Sequence, residues 1–127
     1  MTPDWLNEIV RAFGRQMNLT RFELNERGAA GVRFENGLSF RLEYARESLM
    51  VMAGVPVPPD AEALKRLLVS VHPSAVRSHP MRAAYLAKTG EAVFICRLDE
   101  REASVTSLES VVRLLWGAAD QLRRALA

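Results

Sequence analysis

The stretch Phe40–Pro56, FRLEYARESLMVMAGVP, decides the fold. Its first half alternates: Phe40, Leu42 and Tyr44 are apolar, and Arg41 and Glu43 between them are charged. That is a strand with one face on a core and the other in water. Its second half, Leu49–Val55, carries no charge. A short uncharged run is a strand buried on both faces, or one that keeps a face apolar for a partner. The ARES run between the halves reads as a turn, so the two strands are neighbours.

Upstream, GVRFENGLSFRLEY contains Asn36-Gly37. This pair signals a tight two-residue hairpin, because both residues tolerate positive φ. Val32 and Phe34 lie on the strand before it. Downstream, Pro56, Pro58 and Pro59 end the meander by removing backbone donors. Asp60 then caps a short helix with Leu64, Leu67, Leu68 and Val71 on one face, and Pro73 stops it. Residues 73–81 read as a loop. A second hairpin follows: MRAAYLAK, a turn at Thr89-Gly90, then EAVFICRL.

Two further helices frame these strands. At the start, Thr2 can cap, Pro3 suits the first helical position, and Asp4 favours the positive end of the dipole. Trp5, Ile9, Phe13 and Met17 recur every fourth residue, with Leu6 and Val10 alongside; Gly14 weakens the later part, which fades near Asn18. At the end, Thr106 and Glu109 form a capping box. Leu108, Val111, Val112, Leu115, Ala119, Leu122 and Leu126 then make one stripe, with Arg123 and Arg124 at the negative end. The order α-β-β-β-α-β-β-α predicts an α+β fold: a twisted antiparallel five-stranded sheet and three helices, packed mainly on one face.

The 127 residues suit one domain, 1–127. With 49% apolar and 25% charged residues, the chain has the balance of a globular protein. The net charge of +2, with no Lys/Arg block, gives nucleic-acid binding no support. Arginine outnumbers lysine fifteen to two. Guanidinium forks suit carboxylates at interfaces, and a base-composition bias in the genome produces the same excess. A single cysteine, Cys96, excludes an internal disulfide and points to a reducing compartment. The opening MTPDWLNEIV does not read as a signal peptide, and no run approaches eighteen apolar residues, so the expectation is a cytoplasmic protein without membrane insertion.

No constellation for catalysis, cofactor or metal emerges. His72 and His79 each precede a proline, with no cysteine or carboxylate at metal-ligand spacing. Cys96 lies within the apolar VFIC and reads as a small buried hydrophobe. Gly28 and Gly31 lead into no helix, so they make no phosphate cradle. Asp99, Glu100 and Glu102 read as a solvated turn. An α+β ligand-binding domain or enzyme using His72, His79 or Cys96 stands as the alternative to a binding protein. What remains is apolar excess: with Leu49, Val51 and Ala53 inward, Met50 and Met52 face outward, and flexible methionines suit varied apolar partners.

The arrangement of DWLNEIVRAFGRQM, GVRFENG, LSFRLEY, LMVMAGVP, LKRLLVSVHP, YLAKTGEAVFICRL and SLESVVRLLWGAADQLRRAL resembles the class I type III secretion chaperones, the Tir-chaperone family, over essentially the whole chain. The resemblance implies a cytoplasmic homodimer without enzymatic activity or cofactor. It would bind the N-terminal segment of a secreted effector, keep it secretion-competent and help deliver it to the apparatus, with the secretion ATPase as a further candidate partner. It also implies an interface from the Asp60 helix and the nearby hairpin: Leu64, Leu67, Leu68 and Val71, with Tyr85. An extended effector segment needs a strand edge or an apolar groove, for which the candidates are Trp5, Ile9, Phe13, Val32, Phe34, Met50 and Met52. Members of the family are usually acidic; a slightly basic chain implies an acidic client or an arginine-rich genome.

Overall fold

The computed structural model describes residues 2–58, 62, 81–86 and 88–126. Helix α1 spans Asp4–Gln16. Pro3 is its N-cap rather than its first residue, with φ −62° and ψ 140°, and no side chain caps it. Instead the Pro3 carbonyl accepts from the N–H groups of Leu6 and Asn7 at 3.1 and 3.2 Å, so Thr2 is not the cap. The helix ends in a Schellman motif: Leu19 N–H donates to the Gly14 carbonyl at 2.8 Å, and Asn18 N–H to that of Arg15 at 3.1 Å. Asn18, at φ 59°, supplies the left-handed residue that stops the helix.

The buried stripe of α1 is Leu6, Val10, Phe13 and Gly14. It is rotated from the four-residue series expected, which leaves Trp5 and Met17 exposed at 48% and 42%. Gly14 explains the rotation. A β-carbon there would lie 2.7 Å from Cβ of Phe22. The helix therefore approaches the following segment through its bare backbone, and Phe22 stacks on Phe40 with ring centroids 5.5 Å apart.

Strands β1 (Ala29–Arg33), β2 (Ser39–Ala45), β3 (Ser48–Pro56), β4 (Met81–Leu86) and β5 (Glu91–Asp99) form one sheet in the order β1-β2-β3-β5-β4, with every neighbouring pair antiparallel. The β1–β2 connection is not the two-residue turn expected from Asn36-Gly37. Gly37 N–H donates to the Phe34 carbonyl at 3.0 Å and Phe34 N–H to that of Leu38 at 2.8 Å. Only Gly37 has positive φ, at 90°. This is a three-residue loop with a glycine bulge, and the Asn36 side chain is used to accept the Leu38 N–H. The two-residue turn lies at the next connection, where Arg46 and Glu47 take φ 52° and 62° between the paired Ala45 and Ser48.

A 3-10 turn (Glu100–Glu102) leads to helix α2 (Val105–Leu126). Its reciprocal cap lies two residues before Thr106 and Glu109. Ser104 Oγ accepts the Ser107 N–H at 3.0 Å, and Ser107 Oγ accepts the Ser104 N–H at 2.8 Å. Glu109 is thereby free to accept from Gln16 Nε2 at 2.8 Å and bridge the two helices. Leu108, Val111, Val112, Leu115, Ala119 and Leu122 are buried as the stripe predicts, and α2 packs on β3, β5 and α1.

Among the described residues there are two α-helices and the 3-10 turn, against the three helices expected. The helix expected from Asp60, with Leu64, Leu67, Leu68 and Val71, lies outside the described residues, as do His72 and His79. Replacing Gly14 by Ala should destabilise the fold by roughly 1–3 kcal/mol through overpacking against Phe22. Helix propensity alone would stabilise by up to about 1 kcal/mol. Urea denaturation of the variant distinguishes the two signs.

Candidate functional site

Both helices cover the same face of the sheet. On that face lie Phe40 and Leu42 of β2, Leu49, Val51, Ala53 and Val55 of β3, and Phe94, Cys96 and Leu98 of β5, all buried with the helix stripes in one core. At the end of α1 this core opens. Phe13 and Phe40 form the floor of a groove of about 360 Å³, with Met17, Leu19 and Phe34 along one wall and Val112, Trp116 and Gly117 along the other. Arg113 stands at its rim, paired to Glu109 at 2.5 Å. Phe34 meets Trp116 edge to face at 5.0 Å. A side chain at Gly117 would meet nothing within 4 Å, so the groove is open there. The lining is almost wholly apolar, which suits aliphatic or aromatic side chains and offers no group for acid–base chemistry.

Beside this groove lies the outer edge of β1. Within β1, the pairs that exchange hydrogen bonds with β2 alternate. Phe34 bonds to Leu38, and the Gly28 carbonyl accepts from Tyr44 N–H at 2.7 Å. Ala30 and Val32 therefore share this inward bonding phase, and the N–H and C=O groups of Gly31 and Arg33 point to the outer edge. Ala29 is already occupied by Asn25. Among the described residues no strand pairs with this edge. Val32, opposite Phe40, and Phe34 present half-buried apolar side chains on the groove side.

The residues expected to bind a client therefore separate. Phe13 and Phe34 meet in the groove, with Phe13 only 1% exposed, and Val32 lies on the adjoining edge. Trp5 and Ile9 sit one to two turns back along α1 and do not line it. Met50 and Met52 do not line it either. They alternate with Leu49, Val51 and Ala53, so they stand half-buried on the opposite face of the sheet. Tyr85, expected at a dimer interface, packs with Ala83 toward the core side. Trp116 and Gly117 were not singled out from sequence. The available signal was an aromatic off the main stripe of a helix, next to a glycine.

The chain matches the model of the Tir chaperone protein (CesT) family over residues 8–123, and it belongs to that family. A comparison with curated protein sequences found no significant match. The fold is similar to a chain of the HopA1–SchA chaperone–effector complex, at 17% identity and TM-score 0.72, covering 97% of this chain and 99% of that one. It is similar to a chain of the ExsC–ExsE complex at 16% identity and TM-score 0.72, covering 96% and 93%. It is also similar to the Yersinia pestis type III secretion chaperone SycH in complex with a fragment of YscM2, at 20% identity and TM-score 0.67, covering 92% and 98%.

Asp99, Glu100 and Cys96 serve the fold. Asp99 caps the 3-10 turn by accepting the Arg101 N–H at 2.9 Å, and Glu100 accepts from the Tyr44 hydroxyl. That bond to Glu100, then desolvation, pushes the Tyr44 phenol up to about 12. Cys96 is 1% exposed on the core face of β5, and burial pushes its thiol up to about 11. At pH 8 this leaves on the order of one thiolate in a thousand. Cys96 should accordingly resist a thiol-specific disulfide reagent in the native protein and react promptly in guanidinium. Rapid native modification would contradict this placement.

Proposed function

We propose that this protein is a type III secretion chaperone that binds the N-terminal segment of a secreted effector in extended form and keeps it competent for export. The observation that carries the reading is the apolar groove at Phe34 and Trp116 adjoining the outer edge of β1, which no described strand pairs. An extended segment can pair its backbone with Gly31 and Arg33 and set alternate apolar side chains toward the groove. Membership of the Tir chaperone family supports it, as do the effector complexes formed by proteins of the same fold. In this reading the protein has no enzymatic activity and works in the cytoplasm, handing its client to the secretion apparatus. Among the described residues no helix is long and apolar enough to cross a membrane.

Two substitutions test the site without disturbing the core. Met17→Asp places a charge on the exposed wall, and Arg33→Pro removes an outward backbone donor that β2 does not use. Each should weaken binding of the N-terminal segment of the secreted protein encoded beside this gene by about tenfold or more. Titration calorimetry measures the effect, with circular dichroism as the check on folding. Wild-type affinity in both folded variants would reject the site.

The family reading also carries a homodimer whose contacts come from Leu64, Leu67, Leu68 and Val71. Light scattering should give twice the 14.2 kDa chain mass, and Leu68→Asp should yield monomer or aggregate, since an unpaired buried charge is costly. A wild-type monomer at micromolar concentration would end this reading.

A further inference from the structure

The sheet face away from the helices has a charge pattern that the groove does not use. Across it, Arg41, Met52, Ile95 and Arg82 stand in register on β2, β3, β5 and β4, with Glu43, Met50 and Arg97 in the adjacent row. Most charges here cancel. Arg41 holds Glu43 at 2.7 Å, Arg33 reaches Glu91 at 3.6 Å, and Arg101 holds Asp99 at 3.1 Å.

Among the described residues of this face, Arg46, Arg82 and Arg97 hold no ion pair, although the charge of Arg97 is felt at Asp99. They line one cleft of about 400 Å³ together with Ser48, Met50 and Ile95, and among the described residues no carboxylate lines it. Arg97 Nε donates to the buried Ser48 Oγ at 2.9 Å, which orients the guanidinium and leaves its terminal nitrogens for a ligand. Three like charges around one cleft repel, and an anion relieves the repulsion. Guanidinium forks match carboxylates in bidentate geometry. The floor of Met50 and Ile95 accepts aliphatic side chains, and among the described lining residues no aromatic ring offers a nucleic-acid base a stacking surface.

We propose that this cleft binds an acidic segment of the client polypeptide, with carboxylates on Arg46, Arg82 and Arg97 and intervening apolar side chains on Met50 and Ile95. The inference rests on the reading of the chain as a polypeptide-binding chaperone. It adds a second docking surface, on the opposite face of the sheet from the groove. It also gives a physical role to the basic balance of the chain, net +2, which complements an acidic client.

The test uses the full chain and a dye-labelled peptide of alternating Glu and Leu, followed by fluorescence anisotropy. A Lys-Leu peptide and single-stranded oligo-dT serve as comparisons. The Glu-Leu peptide should bind, weaken as salt rises, and lose about tenfold in affinity in Arg82→Gln/Arg97→Gln, where two charge-assisted contacts are removed. Nile red, an uncharged probe of the apolar groove, should respond as in the wild type. If the double variant misfolds, Arg46→Gln, on an exposed turn, decides in its place, with at least a threefold loss expected. Absence of binding, affinity unchanged by these substitutions, or tighter binding of oligo-dT than of the acidic peptide would each overturn the proposal. So would a change of oligomeric state with peptide binding intact, which would make this face a self-association surface. The effector titration with Met17→Asp reads the groove alone, so the two readings fail separately.

Discussion

Strand β3 is hydrogen-bonded on both sides over nearly its whole length, to β2 from Ser48 to Gly54 and to β5 from Ser48 to Pro56. A central strand of this kind can bury its backbone without cost, because each N–H and C=O finds a ladder partner. Leu49, Val51, Ala53 and Val55 then enter the core and set the surface on which α2 lies. The absence of charge in Leu49–Val55 is thus a consequence of position. One face is core, and the other is a half-buried methionine surface bordered by long arginine side chains from neighbouring strands.

The placement of both helices on one face follows from this and creates the groove. Helix α1 must end early for the groove to exist. The Asn18 stop and the bare backbone of Gly14 bring Phe13 onto Phe22 and Phe40, while Met17 and Leu19 turn to line the opening. On the other side, the reciprocal Ser104 and Ser107 bonds start α2 at a register that sends Val112 and Trp116 toward Phe34. The groove is therefore made by the end of α1, the middle of α2 and one hairpin, and its apolar lining is an exposed continuation of the core.

The two faces of the sheet differ chemically in a way that suits a long, extended ligand. In the proposed reading, the β1 edge recognises a client by backbone pairing and apolar side chains, which tolerates many sequences. On the open face, the proposed cleft of Arg46, Arg82 and Arg97 would add selectivity for charge. A polypeptide that passes around the edge of the sheet meets both.

Strand alternation in Phe40–Tyr44, the uncharged Leu49–Val55, the glycine-bearing turns and the long stripe of the last helix were legible in the sequence, since they depend on local periodicity and on backbone preference. So was the reading of Cys96 as a small buried hydrophobe. Family membership was legible from the arrangement of segments. Other features were decided only in three dimensions. Thr106 and Glu109 satisfy the capping pattern, yet Ser104 and Ser107 hold the helix, where Ser107 Oγ also donates to the Glu102 carbonyl of the 3-10 turn. Asn36-Gly37 satisfies the two-residue turn pattern, yet the register of Val32 on Phe40 demands a third residue. Met50 and Met52 were grouped with Phe13 and Phe34 by hydrophobicity, and pleating sends them to the opposite face. Trp116 joins Phe34, and Arg82 joins Arg97, across long sequence separations. Periodicity reports which face of an element is apolar, and packing alone determines what that face meets.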